Sequence, residues 1–221
     1  MKLIFIRHGD PDYVHDTVTA RGVKEAQALN KRVAQWNVDR FYCSPLGRAR
    51  DTAALALEGS GNDVTVEQFL REFYVQITDP LTGKNRIPWD LLPSYRTTVA
   101  ELCDKDKWQD APLYRTGDVA AQRELVVSGI DGILAEYGYK RDGELYRTDK
   151  GNDKTLVFFC HLGVQFVILS HLLGVSAPAL WHGFFVAPTS VTTVATEERE
   201  AGTVACRCKG VGDVSHLYAA G

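Results

Sequence analysis

Cysteine is sparse and unpatterned in this chain of 221 residues: there are five, an odd number without framework spacing. A disulfide scaffold is therefore excluded, and a reducing, cytoplasmic setting is expected. Charge of one sign is lacking too. The net charge of −3 provides no whole-molecule attraction to nucleic acid or anionic lipid, and neither is expected as a partner. Long hydrophobic runs are missing. The most apolar stretch, Leu156 to Leu173, is broken by His161, Gln165, Ser170 and His171, which makes it a poor membrane span. The start, Met-Lys-Leu-Ile-Phe-Ile-Arg, has no extended apolar region or small-residue cleavage site, so no secretory leader is expected. There is no internal repeat, low-complexity tract or flexible linker. No Gly-x-Gly-x-x-Gly follows the first apolar run, which argues against a dinucleotide-binding enzyme. Cys206-x-Cys208 has no second Cys or His pair nearby and reads as two same-face residues of a strand; no metal site is expected.

What remains is an ordinary globular composition, 45% hydrophobic and 24% charged, in a chain long enough to bury a sizeable core. The chain is organised around its first ten residues. Lys2 to Ile6 is a continuous apolar run rich in strand formers, suited to a strand buried on both faces. Arg7, His8 and Gly9 follow at its C-terminal end, where open α/β sheets place their ligand crevices. Gly9 permits a sharp turn or close approach of a ligand. A histidine there suits a nucleophile, a metal ligand or a proton carrier, and equally a satisfied structural group; the adjacent arginine favours an anion, phosphate above all.

The spacing predicts a helix from an N-cap at Thr19 to about Trp36, then a short strand over Arg40 to Cys43. Ser44-Pro45 reads as N-cap and first helical residue of a second helix reaching about Leu57. Arg48 in its first turn opposes the helix dipole, an objection that a bound anion removes. Val64 to Phe69 is expected as a third strand, ending at Leu70-Arg71-Glu72. From 74 to 152 the pattern changes, with prolines, Trp89 and Trp108, and helices expected at 94–103 and 118–137. This stretch is expected as a helical insertion, a lid over the crevice within a single domain spanning 1–221. Lys154 to Cys160 is a further buried strand that again hands off to a histidine, His161. A helix apolar nearly all round follows, then a hairpin of 190–195 and 203–208. The strand–helix alternation indicates an α/β three-layer sandwich with a mostly parallel central sheet flanked by helices.

Four segments in this order carry a resemblance: Arg7-His8-Gly9, Ser44-Pro45-Leu46-Gly47-Arg48-Ala49, Leu70-x-Glu72, and His161 after Phe-Phe-Cys. Together they resemble the histidine phosphatase superfamily, the phosphoglycerate-mutase-like fold. The resemblance implies a metal-independent phosphomonoester hydrolase without cofactor, acting on a small phosphorylated metabolite. His8 is then the nucleophile of a phosphohistidine intermediate, Arg7, Arg48 and His161 surround the phosphoryl group, and Glu72 protonates the leaving oxygen. Gly9, Asp10 and Leu162 are expected beside the substrate. Leu162 stands where the family usually has glycine, and its backbone N–H remains available to phosphate. Asp10 is a second candidate for proton donor. His15, His171, His182 and His216 are expected to be structural, and Arg86, Arg96, Arg115 and Arg123 of the insertion are candidate contacts to a second anionic group. Two rivals are a cofactor-dependent phosphoglycerate mutase and a non-catalytic phospholigand-binding module. The first usually has Gln-Ser-x-Trp-Asn after Arg-His-Gly, where this chain has Asp-Pro-Asp-Tyr-Val-His; the second is expected to have lost a core residue, and none is lost.

Overall fold

The computed structural model describes residues 1–219. Strand β1 (Lys2–Arg7) has four buried inner residues, as its uninterrupted apolar run requires. A small hairpin of β2 (Pro11–Asp12) and β3 (Thr17–Val18) follows. Helix α1 (Ala20–Val33) is capped at Thr19, whose hydroxyl accepts the Gly22 N–H. Then come β4 (Arg40–Cys43), α2 (Gly47–Ala56), β5 (Val64–Val66) and a 3₁₀ turn at Gln68–Leu70. Beyond them lie a second small hairpin, β6 (Ile77–Thr78) with β7 (Asn85–Arg86), and the short helix α3 (Pro93–Arg96). Three 3₁₀ turns then lead to α4 (Val119–Glu136). The remainder is β8 (Lys140–Asp142), β9 (Leu145–Arg147), β10 (Thr155–Cys160), α5 (Leu162–Leu173), α6 (Ala177–Gly183), β11 (Val191–Glu200), β12 (Thr203–Asp213) and α7 (Ser215–Tyr218).

Eight strands form one sheet in the order β5-β4-β10-β1-β11-β12-β9-β8. The sheet is mixed. Pairing is parallel from β5 through β4 and β10 to β1, and antiparallel from β1 through β11, β12 and β9 to β8. Alternate residues of β1 face opposite layers. Leu3 and Phe5 join a core with α4, α5 and α6, whereas Ile4 and Ile6 join one with α1 and α2. Helix α5 is buried nearly all round, which its apolar composition permits. Among the described residues, no helix is long and apolar enough to cross a membrane.

Three local expectations are corrected. Helix α2 begins at Gly47, not Pro45, because the Ser44 hydroxyl is engaged elsewhere and an aspartate from the β2–β3 turn takes the Gly47 N–H. The helix expected over 94–103 stops at Arg96 and resumes only as a 3₁₀ turn at Ala100–Cys103. Three consecutive β-branched residues, Thr97, Thr98 and Val99, lie between. The stretch 74–152 contains one long helix, α4, but it is not helical throughout: β8 and β9 extend the main sheet at its antiparallel edge.

Candidate active site

The register of the parallel strands builds the site. In β1 and β10, Arg7 is paired with Cys160, so the next residues, His8 and His161, emerge side by side. Phe159 in turn pairs with Cys43 of β4, which brings Ser44 to the same edge. The imidazole centroids of His8 and His161 are 5.0 Å apart, and both rings are buried.

The His8 Nδ1 lies 2.8 Å from the Gly9 carbonyl oxygen. A carbonyl only accepts, so Nδ1 carries the proton and the Nε2 lone pair is free. Burial, with Arg7 and Arg48 nearby, pushes the His8 pKa down to about 3, so the ring is neutral at physiological pH. His161 is also held neutral, by burial first and then by His8, Arg48 and Arg7. Its Nε2 is 2.7 Å from the Ser44 hydroxyl, whose oxygen accepts the Leu46 N–H at 3.2 Å; with the hydroxyl proton donated to Nε2, the neutral ring carries its hydrogen on Nδ1. That contact is the role of Ser44, and it replaces the expected helix cap.

Arg7 donates through one terminal nitrogen to the Val186 carbonyl at 2.6 Å. Arg48, the second residue of α2, donates to Asp16 at 2.6 Å, and the other oxygen of Asp16 takes the Gly47 N–H at 2.7 Å. Aromatic rings lie over both guanidiniums: Phe185 at 5.6 Å from Arg7 and Tyr13 at 5.4 Å from Arg48. Three buried nitrogens in this group have no protein partner, namely Arg7 Nε, Arg48 Nε and His161 Nδ1. Buried donors left unpaired are rare in native proteins. Three of them, from three separate segments around His8, form a receptor for an anion with several acceptor oxygens. Among the described residues there is no group of three or more His, Cys, Asp or Glu placed to hold a metal ion.

Glu72 closes the site from the segment after β5. One carboxylate oxygen accepts the N–H groups of Phe73 at 2.8 Å and Val164 at 3.0 Å. Burial nevertheless raises its pKa above the ordinary carboxylate value. The approach depends on Gly163, where a Cβ would come within 2.5 Å of that oxygen and 2.7 Å of the Trp89 Nε1. Leu162, at the head of α5, adjoins His161, and the carboxyl sits beside the following two residues.

Asp10 is directed away from a donor role. Its carboxylate accepts the Thr19 hydroxyl at 2.6 Å, and its N–H is held by Glu25 at 2.9 Å, so it ties the loop after β1 to the start of α1. Gly9 is anchored through its N–H to Thr52 at 2.9 Å. His15 pairs with Asp12 and His171 with Asp131, both outside the cluster. His216 lies behind it, 3.1 Å from the Thr189 hydroxyl, while the Thr189 N–H reaches the carbonyls of Arg7 and His8. Ser44, Asp16, Thr52, Trp89 and Thr189 were not singled out for these roles from the sequence. Of these only Ser44 carried a signal, as the residue after a strand in the position that His8 and His161 occupy after theirs.

A cavity of about 1150 Å³ opens from this cluster and has Arg48 and Glu72 on its wall. His8 and His161 are not among its lining residues.

Residues 3–86 match the model of the histidine phosphatase superfamily, branch 1. Over that stretch the chain is similar to the superfamily, and the stretch holds three of the four segments, Arg7-His8-Gly9, Ser44 to Ala49 and Leu70-x-Glu72. Among curated relatives, the adenosylcobalamin/alpha-ribazole phosphatase of Salmonella typhi is 26% identical over 192 residues, covering 82% of this chain and 84% of the relative. A 2,3-bisphosphoglycerate-dependent phosphoglycerate mutase of Thermoplasma acidophilum is 28% identical over 152 residues, covering 62% of this chain and 74% of the relative. The fold is shared with a phosphoserine phosphatase from Entamoeba histolytica, at a TM-score of 0.66 and 18% identity over 98% of both chains.

Proposed function

We propose that this protein hydrolyses phosphomonoesters of small metabolites through a phosphohistidine on His8. The observation that carries this reading is the set of three unpaired buried nitrogens of Arg7, Arg48 and His161 around a neutral, correctly tautomerised imidazole. In the first step the His8 Nε2 bonds to phosphorus as the ester P–O bond breaks, and Glu72 gives its proton to the departing oxygen. In the second, Glu72 takes a proton from water, the water oxygen bonds to phosphorus, and the P–N bond breaks to return His8 and inorganic phosphate. The transferring phosphoryl group spreads charge over its equatorial oxygens, so fixed cationic donors lower the barrier by stabilising that charge. Burial shifts the Glu72 pKa upward, the direction that favours a proton donor. Gly9 and Leu162 border the phosphoryl site, and within one domain the parts of 74–152 that cover it are those on the cavity wall, Tyr74, Ile87, Trp89, Gln122 and Leu125. The five free cysteines support a cytoplasmic setting.

The test is release of inorganic phosphate from p-nitrophenyl phosphate by wild type and by His8→Ala. Equal rates remove His8 from the mechanism and favour a binding module. The mutase reading, which the Thermoplasma relative keeps in play, is tested by 3- to 2-phosphoglycerate conversion. Conversion faster than phosphate release reverses the assignment.

A further inference from the structure

The cavity beside the cluster is built for something other than a compact, charged metabolite. At about 1150 Å³ it lies at or beyond the upper end of small-ligand pockets, roughly 300–1,000 Å³, and leaves room past a phosphoryl group and a three-carbon body. Four of its lining residues are large apolar or aromatic side chains left open to solvent: Tyr13, Val66, Tyr74 and Leu125. Tyr74 and Leu125 are 64% and 62% exposed. One such side chain on a surface is ordinary, but four converging on a single concavity mark a contact surface. Trp89 supplies a flat wall whose plane is fixed, because its Nε1–H donates to the Phe73 carbonyl at 3.1 Å and its ring lies against Gly163.

The charges argue the same way. Apart from Arg48 and Glu72, which belong to the phosphoryl site, the charged residues on the wall are Arg71 and Glu67, of opposite sign. The wall therefore offers no net charge to a second ionised group. The arginines expected for that purpose are elsewhere: Arg86 is paired with Asp79 at 2.5 Å, and none of Arg86, Arg96, Arg115 and Arg123 lines the cavity.

We propose that the substrate is a phosphomonoester whose leaving alcohol carries a flat, uncharged, largely apolar body, stacked on Trp89 and covered by Leu125 and Tyr74. This rests on the hydrolase reading above and concerns only the leaving group. The body enters where Arg48 and Glu72 border the cavity, so the ester oxygen comes to the Glu72 carboxyl as the apolar end passes Trp89.

The experiment compares kcat/KM for ethyl phosphate, 2-(2-naphthyl)ethyl phosphate and O-phosphoserine. The first two have leaving alcohols of similar acidity, so a difference between them reports contact with the body and not chemistry. The naphthylethyl ester is expected to exceed ethyl phosphate by roughly tenfold or more, with phosphoserine the poorer substrate. Leu125→Asp, a change at an exposed position of α4, is expected to bring the naphthylethyl-to-ethyl ratio down toward one. Hydrolysis of both alkyl esters at equal kcat/KM, or a preference for phosphoserine, overturns the leaving-group assignment and leaves the hydrolase reading standing. No phosphate release from any ester overturns both.

Discussion

His8 and His161 belong to distant parts of the sequence, yet their rings are 5.0 Å apart with planes inclined by 54°. Neither is charged, and each has one nitrogen committed, His8 Nδ1 to Gly9 and His161 Nε2 to Ser44. The two rings are thus unequal in what they leave free: a lone pair on His8, and an unpartnered Nδ1 on His161. His8→Ala is expected to reduce phosphate release from p-nitrophenyl phosphate by about 10⁴-fold or more, since the bond-forming atom is lost. His161→Ala removes one stabilising donor and is expected to cost about 10²–10³-fold in kcat. A larger loss at His161 than at His8, measured side by side, would exchange their roles.

Acid sensitivity follows from the same burial. His8 is pushed down to about 3, and His182 and His216 to about 4, in each case chiefly by burial. In the unfolded chain these rings take up protons near pH 6.5. Between that value and the folded values the unfolded state holds more protons, so stability falls as pH falls through the window. A fully buried ring such as His8 accounts for about 2 kcal/mol between pH 7 and pH 5. Urea denaturation at both values is expected to show a clearly lower midpoint at pH 5; unchanged midpoints would mean that these rings protonate freely in the folded protein.

The parts of the site that lie on buried strands could be read from the sequence. β1 and β10 are continuous apolar runs, each ending in a histidine, and a strand buried on both faces has no other simple pattern. Their adjacency was not readable from periodicity, because β10 enters the sheet between β1 and β4 long after both in the chain. That placement came only through the resemblance. Asp16 and Tyr13 sit in a turn with no periodicity at all, and Ser44-Pro45 has the composition of a helix start while serving His161 instead. The strands β8 and β9 are three residues long, mostly charged, with only Tyr146 buried. Short polar strands of this kind are typical of sheet edges and leave almost no hydrophobic alternation to detect.

The acid role of Glu72 makes a prediction that separates it from a merely structural carboxylate. Proton donation matters for an alkoxide leaving group and little for nitrophenolate, which departs unaided. Glu72→Gln is therefore expected to lower kcat/KM for ethyl phosphate by about 10²–10⁴-fold while p-nitrophenyl phosphate loses far less. Gly163→Ala provides a second route to the same result, since its methyl would come within 2.5 Å of the Glu72 oxygen and must displace the carboxyl or the Trp89 ring. Equal losses on both esters in Glu72→Gln would assign the residue to packing.

The carboxylate of Asp16 admits two opposite expectations. It contacts Arg48 at 2.6 Å, so it either orients the guanidinium for phosphate or occupies the place of phosphate itself. The geometry favours orientation. Asp16 takes a terminal nitrogen and leaves Arg48 Nε unpaired and buried, so the two anions use different faces of the group. Asp16→Asn tests this cleanly, because asparagine tolerates the positive φ of 50° at this position and preserves an acceptor for the Gly47 N–H while removing the charge. A charge-assisted hydrogen bond is about twice as strong as a neutral one, and its loss leaves Arg48 free to swing. KM for p-nitrophenyl phosphate is expected to rise by about tenfold, with weaker inhibition by inorganic phosphate to match. Tighter phosphate inhibition in Asp16→Asn would instead identify the carboxylate as a competitor that substrate must displace.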